Sequence, residues 1–273
     1  MLSYAPVKLK LCRQVQDSRP LELAVATGFF WLSDRDFYLI TNWHNVTGWD
    51  QLQGKSLSGS GAQPTDIEMP LLLRADGQAG HQTMAVRKRY NIPLYADGKP
   101  VWLEHPEHGS QIDVIAIKVA LMDESLISKP INALDSFVDF EPQAGDDVFV
   151  LGYPGGLDGG HELAIWKRGS IASQPQIEID GLPKLLIDTA TRQGMSGAPV
   201  VARRTGITVP RGVKASPGVL SGQEIIGQSD TFLGVYSGRI GDDPMGLQLG
   251  IVWKAGVVDE IIRGGRAGRS PFE

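Results

Sequence analysis

Only one cysteine, Cys12, occurs in 273 residues, so no disulfide can form within the chain and its stability must come from buried surface. That suits a reducing compartment. Aromatic residues are scarce at 7%, and Lys plus Arg (26) fall short of Asp plus Glu (31), leaving a net charge of −5. A protein that coats nucleic acid needs a basic surplus, and this chain has none. Long apolar runs are also missing. The longest, residues 23–32, is about half the roughly 20 residues a membrane helix requires, and it contains Thr27 and Gly28. Residues 1–19 scatter Lys8, Lys10 and Arg13 among isolated apolar residues, without the unbroken apolar stretch and small-residue cleavage site of a secretory leader. The expectation is no membrane partner, no nucleic-acid partner and a cytoplasmic location.

The chain does hold enough apolar residues, 42%, to build a core. It also holds 33 glycines and 17 prolines, too few for a low-complexity chain but enough for many turns and short strands. Strand-like runs occupy residues 21–32 and 37–41, joined by the polar hairpin segment Ser33-Asp34-Arg35-Asp36. More follow at 68–73, 83–86, 114–119, 147–151, 163–171, 176–179, 185–188, 198–202, 232–237 and 247–253. No rhythm of alternating strand and helix interrupts them, so the fold class is all-β, a sandwich or a pair of barrels. Lys129-Pro130 and Glu141-Pro142 mark a polar stretch near the middle, which divides the chain into residues 1–125, a linker at 126–145, and residues 146–273. Val257, Val258, Ile261 and Ile262 fall at helical spacing and Gly264-Gly265 would stop a short C-terminal helix. The arginines of the tail beyond it read as a solvated end without function.

Chemistry enters at Gly194-Met195-Ser196-Gly197-Ala198-Pro199-Val200, where a serine sits between glycines directly before an apolar strand. A serine hydroxyl is a poor nucleophile at neutral pH; it needs a base within hydrogen-bond reach and that base needs an orienting acid. His44, at the end of the run 38–43, and Asp113, at the start of the run 114–119, are the candidates. The order His, Asp, Ser, with separations of 69 residues (44 to 113) and 83 (113 to 196), excludes both the α/β-hydrolase order and the subtilisin order.

At these residues the sequence resembles the chymotrypsin family. The motifs are Ile40-Thr41-Asn42-Trp43-His44-Asn45-Val46, Asp113-Val114-Ile115-Ala116-Ile117 and Gly194-Met195-Ser196-Gly197-Ala198-Pro199. Ala26-Thr27-Gly28-Phe29-Phe30, Leu151-Gly152-Tyr153-Pro154-Gly155-Gly156-Leu157 and Leu233-Gly234-Val235-Tyr236-Ser237-Gly238 make the bacterial trypsin-like branch that includes the HtrA proteases the most similar variant, and the expectation is a member of it without a PDZ domain. The resemblance implies two antiparallel six-stranded β-barrels with the cleft between them. It also implies a serine endopeptidase in which Ser196 attacks, His44 moves the proton, Asp113 fixes the imidazole, and the amides of Gly194 and Ser196 hold the oxyanion. Neither metal nor organic cofactor is implied. The partners are a protein or peptide substrate and, since an unrestrained cytoplasmic protease is harmful, a regulatory protein. The competing reading is a non-catalytic peptide-binding or scaffolding module on the same fold.

The resemblance further maps primary specificity to Ala190, six residues before the nucleophile, with Ser237, Gly238 and Gly250 as pocket walls and Arg239 at the rim. Ala190 carries no charge, which implies a small or medium apolar residue before the scissile bond. Met195 stands where secreted digestive members carry an aspartate that pairs with a newly cut N-terminus, so activation by such a cut is not expected. Residues 53–64, rich in Gly and Ser, form a loop that can screen the cleft, and residues 201–224 interrupt the strands after the nucleophile as a surface excursion. His105 and His108 flank a proline without further ligands at zinc spacing and read as a loop. Gly155-Gly156 lacks the Lys-Ser/Thr of a phosphate loop, and the Asn45-Val46-Thr47 sequon is discounted.

Overall fold

In the computed structural model, described for residues 2–51, 54–74, 85–120, 125–135, 137–214, 220–240 and 247–271, the first long strand, β1 (Pro6–Arg13), shows the alternation that defines a half-buried strand. Val7, Leu9 and Leu11 are buried while Lys8 and Lys10 stay partly exposed. Lys8 and Lys10 break its apolar residues into short pieces, so no apolar run marks it. β2 (Leu21–Ser33) and β3 (Asp36–Thr41) form the expected hairpin, with Asp34 in the left-handed region at the turn. After the short helix α1 (Trp43–Thr47) come β4 (Asp66–Arg74), β5 (Ala85–Pro93), β6 (Trp102–Glu104) and β7 (Ile115–Val119). The second half holds β8 (Asp147–Gly152), β9 (Ile165–Ile171), β10 (Lys184–Asp188), β11 (Pro199–Thr208), β12 (Ile225–Arg239) and β13 (Leu249–Lys254). Helix α2 (Gly256–Gly264) and β14 (Arg266–Ala267) follow.

The fold is mostly β, as expected, and built on two main sheets. Strands β8 to β13 close into a six-stranded antiparallel barrel in the order β8-β9-β10-β13-β12-β11. The first half departs from six strands: it is an eight-stranded sheet in the order β14-β6-β7-β3-β2-β1-β4-β5. The additional strands are those that lack an apolar run, and β14 returns from the end of the chain. The tail is therefore no frayed end. Leu103 and Glu104 pair with Ala267 and Arg266, the Gly268 amide donates to the Trp102 carbonyl at 2.8 Å, and the Arg269 amide donates to Glu104 Oε1 at 2.8 Å. A strand edge leaves backbone groups unpaired, and the tail supplies the partners whatever its side chains are. The excursion at 201–224 is also smaller than expected, because β11 and β12 run on as a long ribbon to Thr208 and from Ile225. Residues 176–179 hold only an isolated bridge, Ile179 to Leu182.

Why residues 28–32 and 37–41 look uniformly apolar becomes clear from the core. Phe30 and Leu39 face the interior of the first sheet, with Leu9, Ile67, Trp102 and Ile115, whereas Phe29, Trp31 and Ile40 face a second cluster. That second cluster also takes Val201, Val235 and Trp253 from the barrel and Val257, Val258 and Ile261 from α2. Both faces of β2 and β3 are thus covered, which removes the polar alternation. Helix α2 stops where Gly265 turns left-handed, as expected. His105, read as a loop residue, is buried: it bonds Glu260 of α2 at 2.9 Å while its Nδ1 accepts the amides of Glu107 and His108. Among the described residues no helix is long and apolar enough to cross a membrane.

Candidate active site

His44 does not end a strand; it lies in the first turn of α1, just beyond β3. A five-residue helix is too short to be stable alone, and three anchors hold it. Trp43 Nε1 donates to the buried Glu104 carboxylate at 2.9 Å, the Gly48 amide closes the helix on the His44 carbonyl at 2.9 Å, and Asn42 Nδ2 donates to the Asp113 carbonyl at 2.6 Å. Asp113 in turn accepts twice from the same histidine: the His44 backbone amide meets Oδ1 at 2.9 Å and Nδ1 meets Oδ2 at 2.7 Å. Ser237, from β12, donates its hydroxyl to Asp113 Oδ2 as well. With its acceptor on Asp113, Nδ1 keeps the ring proton and Nε2 is left as the basic nitrogen. Burial opposes a charged imidazole here, but the charge and hydrogen bond of Asp113, with a smaller contribution from Asp50, outweigh it and hold His44 above its ordinary pKa.

Ser196 arrives from the barrel, on the loop before β11. Two glycines shape that loop. Gly194 has φ +91° and a Cβ there would lie 2.3 Å from the Tyr153 carbonyl oxygen; Gly197 has φ +84° and a Cβ would lie 2.1 Å from the Thr27 carbonyl oxygen. Each carbonyl around the serine is occupied. Gln193 O accepts the Gly155 amide at 2.7 Å, Gly194 O the Thr27 hydroxyl at 2.7 Å, and Met195 O the Ala198 amide at 3.0 Å. Ser196 O accepts the Thr27 amide at 2.9 Å and Asn45 Nδ2 at 3.2 Å. The peptide bonds are trans, so each pinned carbonyl turns the following N–H the opposite way. Among the described residues, the amides of Gly194 and Ser196 donate to no protein acceptor.

His44, Gly194 and Ser196 line one cavity of about 590 Å³. Its other walls are largely apolar: Leu23, Ala24 and Val25 of β2, and Leu57, Ala62 and Pro64 from the loop before β4, with Glu22 at one side. The described part of the loop at 53–64 therefore borders the cleft. Ala190, Ser237, Gly238 and Gly250 are not among the cavity walls, and Ser237 turns its hydroxyl to Asp113. Gly250 packs against Tyr236, whose ring would be 2.6 Å from a Cβ at position 250 and whose buried hydroxyl bonds that of Thr191. Burial pushes the Tyr236 phenol up to about 12.

Several residues at this site carry no signal when read singly. Thr27, Asn42 and Gly155 act through backbone groups of distant partners, and only at Thr27 and Gly155 does a neighbouring glycine in the quoted motifs hint at close approach. Asn45, of the discounted sequon, is buried with its amide nitrogen on Thr41 and Ser196. Met195 is wholly buried among Val148, Val200 and Val252 in the barrel core.

Among solved structures, the chain is similar to the Rv3671c protease from M. tuberculosis in its active form, at 21% sequence identity over 98% of this chain and 84% of that one, with a TM-score of 0.44. A search of the curated proteins finds no match. The family model described as the trypsin-like peptidase domain matches residues 26–209, which span His44, Asp113 and Ser196, and the chain belongs to that family.

Proposed function

We infer that this peptidase is a serine endopeptidase acting through an acyl-enzyme. The observation that carries the reading is the twofold bond of Asp113 to His44 beside a serine whose neighbouring amides are free. In this reading Ser196 Oγ attacks the scissile carbonyl carbon as His44 Nε2 takes its proton, and the carbonyl oxygen gains a negative charge that the Gly194 and Ser196 amides stabilise. The tetrahedral intermediate collapses with transfer of the His44 proton to the leaving amine. Water then repeats the sequence on the acyl-serine, with His44 as base, and frees the acid. Asp113 supports the imidazolium in both halves and fixes its tautomer.

A peptide substrate is favoured by β2. Its residues 21–26 pair with β1 on one edge, pairing with β3 starts only at Phe29, and Leu23, Ala24 and Val25 border the cavity. An extended chain can add to such an edge beside the nucleophile. The uncharged Ala190 and the Tyr236 ring packed on Gly250 support a small apolar residue before the scissile bond. Burial of Met195 in an apolar core, where no ammonium would be accommodated, supports activity without a newly cut N-terminus. The free, buried Cys12 suits a reducing compartment such as the cytoplasm. A peptide library varied at the position before the cleaved bond tests the reading: cleavage after small apolar residues that disappears in Ser196→Ala is expected. Strong preference for Arg or Lys overturns the pocket assignment, and a folded protein that cleaves nothing favours the non-catalytic module.

A further inference from the structure

We propose that the Thr27 hydroxyl is a positioning group for the oxyanion site, acting through the Gly194 carbonyl; this rests on the serine-endopeptidase reading above. Gly194 has to be glycine, because a Cβ would strike the Tyr153 carbonyl at 2.3 Å. The same choice leaves the peptide planes on either side of it free to rotate. Three hydrogen bonds restrain them, one of them from the Met195 amide to the Arg192 carbonyl at 3.3 Å. The Gly155 amide holds the plane before Gly194 at the Gln193 carbonyl, and Thr27 Oγ1 holds the plane after it at the Gly194 carbonyl. Among the described residues Gly194 O has no other donor.

The hydroxyl is well placed for that task. Thr27 is completely buried and its oxygen also accepts the Tyr153 amide at 3.2 Å, so its proton is directed to Gly194. The residue's main chain is fixed independently: its amide bonds Ser196 O and its carbonyl accepts the Thr41 hydroxyl at 2.8 Å. One residue of the first sheet thus grips the carbonyls of both oxyanion donors, which themselves belong to the barrel. Without the hydroxyl, Gly194 O is a buried acceptor lacking a partner. Rotation of this peptide, which carries the Met195 N–H, changes ψ of Gly194 and φ of Met195 and so displaces the flanking planes that carry the Gly194 and Ser196 N–H groups. Thr27 touches no reacting atom in this account.

Thr27→Val removes the hydroxyl at nearly constant shape, and Thr27→Ser keeps it while losing the methyl. Labelling of Ser196 by a fluorophosphonate and turnover of p-nitrophenyl acetate report on oxyanion stabilisation without knowledge of the natural substrate. Thr27→Val is expected to slow labelling and kcat about 10- to 100-fold, less than the roughly 10²–10³ lost when a donor itself is deleted. KM should change by no more than about 2-fold, since only transition-state binding is weakened. Thr27→Ser should restore both rates to within about 3-fold of the parent. Equal rates in the parent and Thr27→Val overturn the proposal, as does a Thr27→Ser variant no faster than Thr27→Val. If Thr27→Val fails to give a cooperative melt, the same comparison is made between Thr27→Ala and Thr27→Ser with the same two outcomes. Failure of the parent itself to label would instead sink the serine-endopeptidase reading on which this rests.

Discussion

Asp113→Asn changes one atom at the centre of the site, and its outcome can be worked out from three hydrogen bonds. The carboxylate accepts the His44 amide on Oδ1 at 2.9 Å and both His44 Nδ1–H, at 2.7 Å, and the Ser237 hydroxyl on Oδ2. A carboxamide has only one accepting oxygen. If that oxygen stays on the backbone amide, the NH2 group faces Nδ1, and the imidazole must accept there and carry its proton on Nε2, where it cannot take one from Ser196. If the amide flips, its NH2 collides with the backbone N–H, so the first arrangement is favoured. Loss of the correct tautomer in a serine triad costs about 10⁴ in turnover, which is about 5.5 kcal/mol of barrier.

The same substitution removes the charge that holds His44 above its ordinary pKa. The neutral imidazole is the working base, so the acid limb of kcat/KM in the parent should lie above the usual value of about 6.5 and should move to lower pH in Asp113→Asn. Stability follows with the sign of a raised pKa. The ion pair contributes fully below about pH 6.5 and loses its contribution as pH rises through the folded-state value, so the variant's melting temperature should fall less across that window. Turnover of p-nitrophenyl acetate from pH 5 to 9, with melts at the same values, reads both effects. Activity within 10-fold of the parent, or an unmoved acid limb, would refute the assignment of Asp113 as the group that fixes His44.

Other substitutions probe separate parts of the account. Gly197→Ala places a methyl 2.1 Å from the Thr27 carbonyl and 2.4 Å from the Thr41 hydroxyl at φ +84°, so Ser196 should be displaced and labelling should fall by at least about 100-fold; the labelling rate decides. Tyr236→Ala empties the space against Gly250 and Thr191, and a peptide library should shift toward larger apolar residues before the cleaved bond; an unchanged profile places specificity elsewhere. Ending the chain after Gly264 uncovers the edge of β6 and the buried Trp102 and takes the Arg269 amide from Glu104. The loss should be on the order of 2–3 kcal/mol, a fall in melting temperature of about 5–10 °C, read by calorimetry.

How much of this could be read from the sequence depended on whether a residue acts through its side chain or through backbone geometry. His44, Asp113 and Ser196 are chemically distinctive, and their order along the chain narrows the choice of arrangement. The β class followed from apolar runs wherever a strand was buried on both faces, as at residues 28–32 and 37–41. β1 escaped because its apolar residues alternate with Lys8 and Lys10, and β14 because its pairing with Leu103 and Glu104 is purely backbone. His105 does open a turn, but its burial has no local signature, since its partner, Glu260, lies 155 residues away. The hydroxyl of Thr27 grips a carbonyl 167 residues distant, a contact with no local signature.

Intact-mass analysis after exposure to a fluorophosphonate, followed by peptide mapping, tests the central arrangement most directly. The account predicts a single covalent adduct on Ser196 in the folded protein, slowed by several orders of magnitude in His44→Ala and absent in Ser196→Ala. Adduct formation on another residue, or undiminished labelling when His44 is removed, would contradict it.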